Sequence, residues 1–250
     1  MSNNIIRCLG LLVCTLLLQP DIRSQTRPQD WVLTFADEFD GGALDLAKWS
    51  PRDPWKETRN REVHGYSPES VQVNGGMLHI LAARGRAGDY ISGIVTTFGV
   101  FQQTYGRFEV RCRIPAGRGL RPGFFLMPVP AGSLPTIEVF QAIGSAPTKA
   151  YFTNRWGSEQ TERSYGESFA VPDLSRGFHT IALEWERDSL RWFVDGKEKF
   201  QSADGVPRQP MYLMLDLGVG GKMANLPDDA TAFPASFDID SVHVYQRPVK

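Results

Sequence analysis

Cysteine is scarce in this chain of 250 residues, with three in the whole sequence. Cys8 and Cys14 lie in an apolar N-terminal stretch, so Cys112 stands alone in the rest of the chain. That remaining part cannot form an internal disulfide. Cys112 shares the alternating phase of Phe108 and Val110, which predicts a small core residue of a strand rather than a reactive thiol.

The sequence also lacks an excess of either charge, because 27 Lys and Arg residues balance 28 Asp and Glu residues and the net charge is −1. No basic field marks a nucleic-acid partner. The four histidines are scattered without the spacing of metal ligands, which argues against a zinc site. A hydrophobic share of 42% and a charged share of 22% exclude disorder and a coiled coil.

The sequence has no apolar run of the roughly 20 residues that a membrane-spanning helix needs. A shorter run over residues 8–18 follows Arg7 and ends at Gln19 and Pro20, with the small residue Ser24 soon after. This pattern predicts a signal peptide over residues 1–24. We therefore expect a secreted or periplasmic protein with no membrane association after cleavage. An uncleaved short anchor or a misassigned start is the alternative.

Glycine, proline and aromatic residues are plentiful: 24 Gly, 17 Pro and 11% aromatics. Beyond the leader, short runs with strand-like alternation are separated by Gly, Pro, Asn or Asp. In one such run, Ile181, Leu183 and Trp185 share one phase, and Asp195-Gly196 predicts the tight turn of a hairpin. Many short strands with turn signals favour one all-β domain, a sandwich or jelly roll, over residues 28–248.

Motifs spread over nearly the whole chain resemble those of one enzyme family. They are FADEFDG (35–41), NREVHGY (60–66), SVQVNGGMLHILA (70–82), YGRFEVRCRIPAGRGL (105–120), FHTIALEW (178–185), FVDGKE (193–198), PMYLMLDLGVGG (210–221) and FPASFDIDSVHVYQ (233–246). Together and in this order they resemble glycoside hydrolase family 16, the laminarinase- and lichenase-like β-glucanases. The resemblance implies a β-jelly roll of two curved antiparallel sheets, with a sugar-binding groove on the concave face.

The catalytic strand of that family reads Glu-x-Asp-x-x-Glu, and this chain has Thr136, Glu138 and Gln141 at those positions. A third side chain placed five residues along a strand points to the wrong face unless a bulge adds one residue. The apolar pair Val139 and Phe140 marks where the polar–apolar alternation slips. We therefore predict a bulge there, with all three polar side chains in the groove.

The chemistry of these positions has changed although their pattern is kept. Gln141 cannot ionise and so cannot act as a general acid. The hydroxyl of Thr136 is a weak nucleophile without an adjacent base. Glu138 remains, either as a residual catalytic or ligand-binding carboxylate or as a charge held by Arg121 or Arg155. Asp216, where the family usually has Asn, could form a replacement acid pair with Glu138 across neighbouring strands.

Other groove positions implied by the resemblance have changed in the same way. Arg121 and Phe125 replace two aromatic platforms, and Arg155 replaces a histidine that follows the catalytic strand. Guanidinium groups pair well with carboxylate or sulfate oxygens, so we expect a polysaccharide ligand, and an anionic one is an option. The other candidate ligand-binding residues are Asn60, Trp55, Tyr66 and Trp156.

The resemblance also implies a structural calcium site. Glu38 and Asp240 match family positions that can bind the ion, together with a backbone oxygen near Gly75, and hard oxygen ligands suit calcium. The alternative is that both carboxylates make hydrogen bonds at the seam of the sandwich. No other cofactor is required.

These observations favour a secreted, monomeric, carbohydrate-binding protein whose catalysis is lost or strongly altered. The first alternative is an active endo-glycosidase or transglycosylase that acts on a β-glucan-like or anionic polysaccharide with Glu138 and Asp216. The second is a structural envelope protein that never meets a sugar. Fold alone does not decide between them, because function depends on the site.

Overall fold

The computed structural model describes residues 31–55, 62–85, 87–158 and 160–248. The expected signal peptide, residues 1–24, and Asn60 lie outside these residues. Within them no helix is long and apolar enough to cross a membrane.

The described chain is almost entirely β, as predicted. Its elements in order are β1 (Val32–Asp37), β2 (His64–Tyr66), a short 3-10 helix (Pro68–Ser70), β3 (Val71–Asn74), β4 (Met77–Arg84), β5 (Tyr90–Ser92), β6 (Ile94–Thr96), β7 (Gly106–Arg113), β8 (Leu120–Pro128), β9 (Thr136–Ala142), β10 (Lys149–Trp156), β11 (Arg163–Ala170), β12 (His179–Trp185), β13 (Leu190–Val194), β14 (Lys197–Ser202), β15 (Met211–Val219), α1 (Gly221–Ala224) and β16 (Ala235–Gln246). The expected hairpin joins β13 to β14, and Asp195 and Gly196 both have the positive φ that its tight turn requires.

The strands form two sheets that pack face to face as a jelly roll. The ten-stranded sheet runs in the order β14-β13-β12-β7-β16-β4-β5-β2, with β1 paired to β16 and β3 to β4. The six-stranded sheet runs β11-β10-β9-β8-β15-β6. Every named pair is antiparallel except β2 with β5.

The core lies between the two sheets and follows from their alternating side chains. On β7, Phe108, Val110 and Cys112 are buried, and Trp185 and Trp192 complete the packing from β12 and β13. Each large apolar side chain removed from water contributes about 1.5–3 kcal/mol. Cys112 is therefore the core residue that the sequence predicted.

The six-stranded sheet has an apolar face in the core and a polar face that carries the site. Leu213, Leu215 and Leu217 of β15 belong to the core, whereas Met214 and Asp216 face the other way. Successive residues of a strand point to opposite faces of its sheet. Strand β15 therefore contributes side chains both to the core and to the polar face.

A bulge in β9 keeps the polar positions on one face. Phe124 pairs with Phe140, but its neighbour Phe125 pairs with Glu138, so Val139 is the extra residue. The pairing with β10 slips at the same place. The predicted bulge is confirmed, and it turns Gln141 to the same face as Glu138.

Candidate functional site

A groove of about 730 Å³ lies on the outer face of the six-stranded sheet. Its lining residues come from β2, β8, β9, β10, β15, α1 and the adjoining loops. They are Pro54, Trp55, Glu62, Tyr66, Arg121, Phe125, Met127, Ala131, Gly132, Ser133, Thr136, Glu138, Gln141, Arg155, Glu162, Met214, Asp216, Lys222 and Met223.

Thr136 stands at the start of β9 and is almost fully buried. Its hydroxyl donates a hydrogen bond of 2.6 Å to the carbonyl oxygen of Ser133 and lies 3.8 Å from the sulfur of Met127. Neither contact is a base that could take the hydroxyl proton. The local chemistry therefore leaves the threonine without the activation that a hydroxyl nucleophile needs.

Glu138 is held by Arg155, one of the two arginines that the sequence offered as its partner. The Nε atom of Arg155 lies 3.2 Å from a carboxylate oxygen of Glu138, and its Nη1 atom lies 3.2 Å from Glu162. Burial nevertheless raises the pKa of Glu138, because the loss of water around the carboxylate outweighs the attraction of Arg155. A hydrogen bond with Thr153 and the charge of Arg121 act in the same sense as Arg155 without reversing the shift.

Arg121 is bound to a carboxylate that the sequence reasoning did not single out. It forms an ion pair with Glu62, and both side chains are more than nine-tenths buried. The guanidinium group also lies over Gly218 on β15, where a side chain would collide with it. Glu62 lies in the NREVHGY motif. The motif indicated the family but did not indicate that Glu62 pairs with Arg121.

Asp216 lies at the other side of the groove floor from Glu138. The hydroxyl of Tyr66 donates a hydrogen bond of 2.6 Å to its Oδ2 atom. Asp216 pairs with Gly123 of β8, and Gly123 pairs with Gln141 of β9, so these three residues form one row across the sheet.

The expectation that Asp216 and Glu138 lie on neighbouring strands is wrong. Strand β8 separates β15 from β9, which places their backbones roughly 9.5 Å apart. The ring of Phe125 fills the space over Gly123, between the two strands. Alternation showed correctly which face each acid occupies, but it carries no information on the order of the strands.

Three of the predicted aromatic residues reach the groove. Phe125 belongs to a separate apolar cluster on its floor, and Trp55 and Tyr66 pack against that cluster. Trp156 does not line the groove: it follows Arg155 on β10, so its ring points to the opposite face and lies against Gly205. The expectation that Trp156 stacks on a sugar in this groove is therefore wrong.

Known proteins share this fold and are similar to this chain in sequence. The sequence profile of "Glycosyl hydrolases family 16" matches residues 60–234. The chain belongs to this family. The beta-glucanase of Rhodothermus marinus is 32% identical over 95% of this chain and 92% of its own length. The keratan-sulfate endo-1,4-beta-galactosidase of Sphingobacterium multivorum is 25% identical over 88% of this chain, which spans 56% of that enzyme.

Solved structures of family 16 enzymes confirm the jelly roll. The laminarinase catalytic domain from Thermotoga maritima MSB8 superposes with a TM-score of 0.78 at 28% identity, covering 88% of this chain and 100% of that domain. The laminarinase from Rhodothermus marinus superposes with the same TM-score at 31% identity. The family 16 scaffold is thus present together with the groove.

The two carboxylates expected to bind calcium each face a base of the protein. A carboxylate oxygen of Glu38 lies 2.5 Å from the Nε2 atom of His243, and Asp240 lies 2.8 Å from a guanidinium nitrogen of Arg111. Gly75 lies in the turn between β3 and β4 with a φ of 59°. In the part of the chain that the structure describes, no three acidic, histidine or cysteine side chains group as a metal site would. These partners fit the seam hydrogen bonds better than a metal, and the calcium site stays a prediction.

Acidic side chains outnumber basic ones in the described lining of this family 16 groove. The acids are Glu62, Glu138, Glu162 and Asp216, and the bases are Arg121, Arg155 and Lys222. Both arginines are already paired with carboxylates. A guanidinium group that already pairs with a carboxylate of the protein binds an anionic ligand less strongly.

Proposed function

We propose that this chain binds a polysaccharide in the groove of a family 16 scaffold and does not hydrolyse it by the two-carboxylate mechanism. One observation carries the proposal: Thr136 and Gln141 both line the groove, at the positions that the family resemblance assigns to the two acids of that mechanism. A retaining glycosidase requires two carboxyl groups about 5–5.5 Å apart, one to attack the sugar and one to protonate the leaving group. Neither side chain can perform its part.

A second candidate is an active glycosidase that uses Glu138 and Asp216. The raised pKa of Glu138 favours this candidate, because a carboxyl group that stays protonated at higher pH can act as a general acid. The intervening strand, the ring of Phe125 and the pairing of Glu138 with Arg155 oppose it. We therefore place binding first.

The family relatives support a polysaccharide as the ligand. Among them are a beta-glucanase and a keratan-sulfate endo-galactosidase, so neutral and sulfated chains are both within the family's range. The excess of acids in the groove favours a neutral chain over an anionic one. From the N-terminal pattern we also propose export to the periplasm or the medium, and a monomer that binds without an obligatory cofactor.

Affinity electrophoresis tests this proposal. The protein is run in native gels that contain a soluble β-1,3-glucan, a mixed-linkage β-1,3-1,4-glucan or keratan sulfate, and reducing ends are measured in parallel. We expect retardation by a polysaccharide without release of reducing ends. Replacing Trp55 with Ala in the groove should abolish the retardation, because aromatic rings supply much of the contact with sugars.

The matched control is Tyr165→Ala on β11, an aromatic residue that is 41% exposed and lies outside the groove lining. It should migrate like the unmodified protein in every gel. Equal mobility of the unmodified protein in all gels would contradict a polysaccharide ligand, and steady release of reducing ends would favour the second candidate.

A further inference from the structure

Among the described residues, three buried polar atoms near the junction of β2 with β15 and β8 have no hydrogen-bond partner. They are Nε2 of His64, Nε of Arg121 and Oδ1 of Asp216. The His64 and Arg121 side chains are 1% and 6% exposed, and Asp216 is 4% exposed. A buried polar atom left unpaired destabilises the folded protein, so such a group of atoms indicates a missing partner.

Contacts around these atoms favour one assignment of donors and acceptors. The backbone N–H of Val219 lies 3.1 Å from Nδ1 of His64, closer than the 3.3 Å to the Val219 carbonyl oxygen, and we therefore assign Nδ1 as the acceptor. Burial lowers the pKa of His64 and so favours the neutral ring, in which Nε2 then carries the proton. Nε2 lies 3.9 Å from a carboxylate oxygen of Glu62, too far for a hydrogen bond.

Asp216 is the acceptor of the group. Its Oδ2 atom is occupied by the hydroxyl of Tyr66, and its Oδ1 atom is open. The ring of Tyr66 packs edge-to-face on His64 with 4.6 Å between the ring centres, and the negative charge of Asp216 acts on His64. His64 and Asp216 therefore both contact Tyr66.

The arrangement thus offers two donors, His64 Nε2–H and Arg121 Nε–H, and one acceptor, Asp216 Oδ1. A hydroxyl group matches this set, because it can accept from His64 or Arg121 while it donates to Asp216. A sulfate or carboxylate does not match it, because an ionised oxyanion has no proton to give to Asp216 and is repelled by its charge.

We propose that His64, Arg121 and Asp216 form a subsite that holds neighbouring hydroxyl groups of one uncharged sugar residue and discriminates against sulfated or carboxylated residues. Arg121 and Asp216 line the groove, so a sugar can approach them from it, whereas His64 is not a lining residue and is reached only past them. This inference rests on the proposed function, and it assigns the substrate class of the groove. Tyr66 and Glu62 orient the acid and the guanidinium group.

Two conservative variants remove one polar atom each. His64→Asn keeps an amide oxygen near the position of Nδ1 for the Val219 N–H but lacks the Nε2–H donor. Asp216→Asn keeps an oxygen for the Tyr66 hydroxyl and replaces the acceptor with an N–H donor. The control Asp188→Asn removes one negative charge from an exposed turn outside the groove.

The dissociation constants of these proteins are measured by calorimetry with a neutral β-1,3-glucan oligosaccharide and with its sulfated derivative, alongside their thermal unfolding. We expect the unmodified protein to prefer the neutral ligand. Each groove variant should weaken that binding at least about tenfold, because each loses a charge-assisted or buried hydrogen bond. Asp216→Asn should bring the dissociation constants for the neutral and the sulfated ligand closer together. Asp188→Asn should leave both dissociation constants unchanged.

Neutral-ligand affinities that stay within a factor of two in both groove variants would overturn the subsite while leaving polysaccharide binding intact. A lowered unfolding temperature with unchanged affinity would also overturn it, since the missing partner would then be a structural water. No binding of either ligand by the unmodified protein would overturn the proposed function together with the subsite.

Discussion

The ring of Phe125 lies over Gly123, so that a Cβ atom on Gly123 would overlap two carbons of the ring. Gly123 is the middle residue of the row that runs from Asp216 to Gln141. The absence of a side chain there lets an aromatic ring occupy the floor of the groove between two acid-bearing strands. The shape of the groove floor therefore depends on one glycine.

Gly123→Ala should lower stability by about 1–3 kcal/mol, because the new methyl group forces the ring of Phe125 out of its position. Urea unfolding measures this loss. In a Phe125→Leu background the same substitution should cost much less, since the ring it would strike has been removed. Equal costs in the two backgrounds would show that the glycine matters for another reason.

Glu138→Gln should change how stability depends on pH. The pKa of Glu138 is raised from its ordinary value of 4.5 in the folded protein. At pH values between the unfolded and the folded pKa, the folded state therefore holds a proton that the unfolded state has released. Stability is then lost as the pH rises from the unfolded pKa through the folded one. Relative to the unmodified protein, Glu138→Gln should gain unfolding free energy over that range.

Urea unfolding at a series of pH values measures the difference, and Glu162→Gln is the control because Glu162 is the exposed partner of Arg155. The control should follow the unmodified protein. A loss of relative stability in Glu138→Gln as the pH rises would mean that the ion pair with Arg155 outweighs burial.

Arg121→Met should destabilise the protein by about 3–5 kcal/mol, because it leaves Glu62 as a buried charge without its cation. Adding Glu62→Leu should recover much of that loss, since the pair is then replaced by apolar groups. The exposed ion pair of Arg155 with Glu162 offers a comparison, and Glu162→Gln should cost about 1 kcal/mol or less. Additive losses in the double variant would contradict a coupled buried pair.

Cys112 should not react with thiol reagents in the folded protein. Its side chain lies in the core, and burial raises the pKa of the thiol far above neutral pH. Mass spectrometry after brief treatment with iodoacetamide should show no adduct at Cys112 in buffer and full modification in denaturant. Rapid modification in buffer would mean that the core between the two sheets opens on that time scale.

Much of the fold could be predicted from the sequence because alternation reports directly on which face of a sheet a side chain occupies. The resemblance to family 16 pointed to Thr136, Glu138 and Gln141, and this signal then predicted the bulge and the shared face of the three side chains. Alternation also places consecutive residues of one strand on opposite faces of the sheet. It could have excluded Trp156 from the groove once Arg155 was placed there.

The polar pairs of the site could not be predicted in the same way. Glu62 and Arg121 are 59 positions apart, and their contact depends on how Glu62 and the strand β2 that follows it lie relative to β8. Alternation assigns a face but neither the order of the strands nor the direction of a long side chain. The separation of Asp216 from Glu138 and the internal pairing of both arginines emerge only in three dimensions.

Restoring the two family acids tests the central claim most directly. Reducing-end release from a neutral β-glucan is measured for the unmodified protein, for Thr136→Glu/Gln141→Glu and for the matched Thr136→Gln/Gln141→Glu variant, which has one of the two carboxylates. Our account predicts turnover by the two-acid variant alone, since its groove would bind the chain and regain both reacting groups. Turnover by the unmodified protein that is lost on Glu138→Gln would contradict it and would place an active acid elsewhere in the groove.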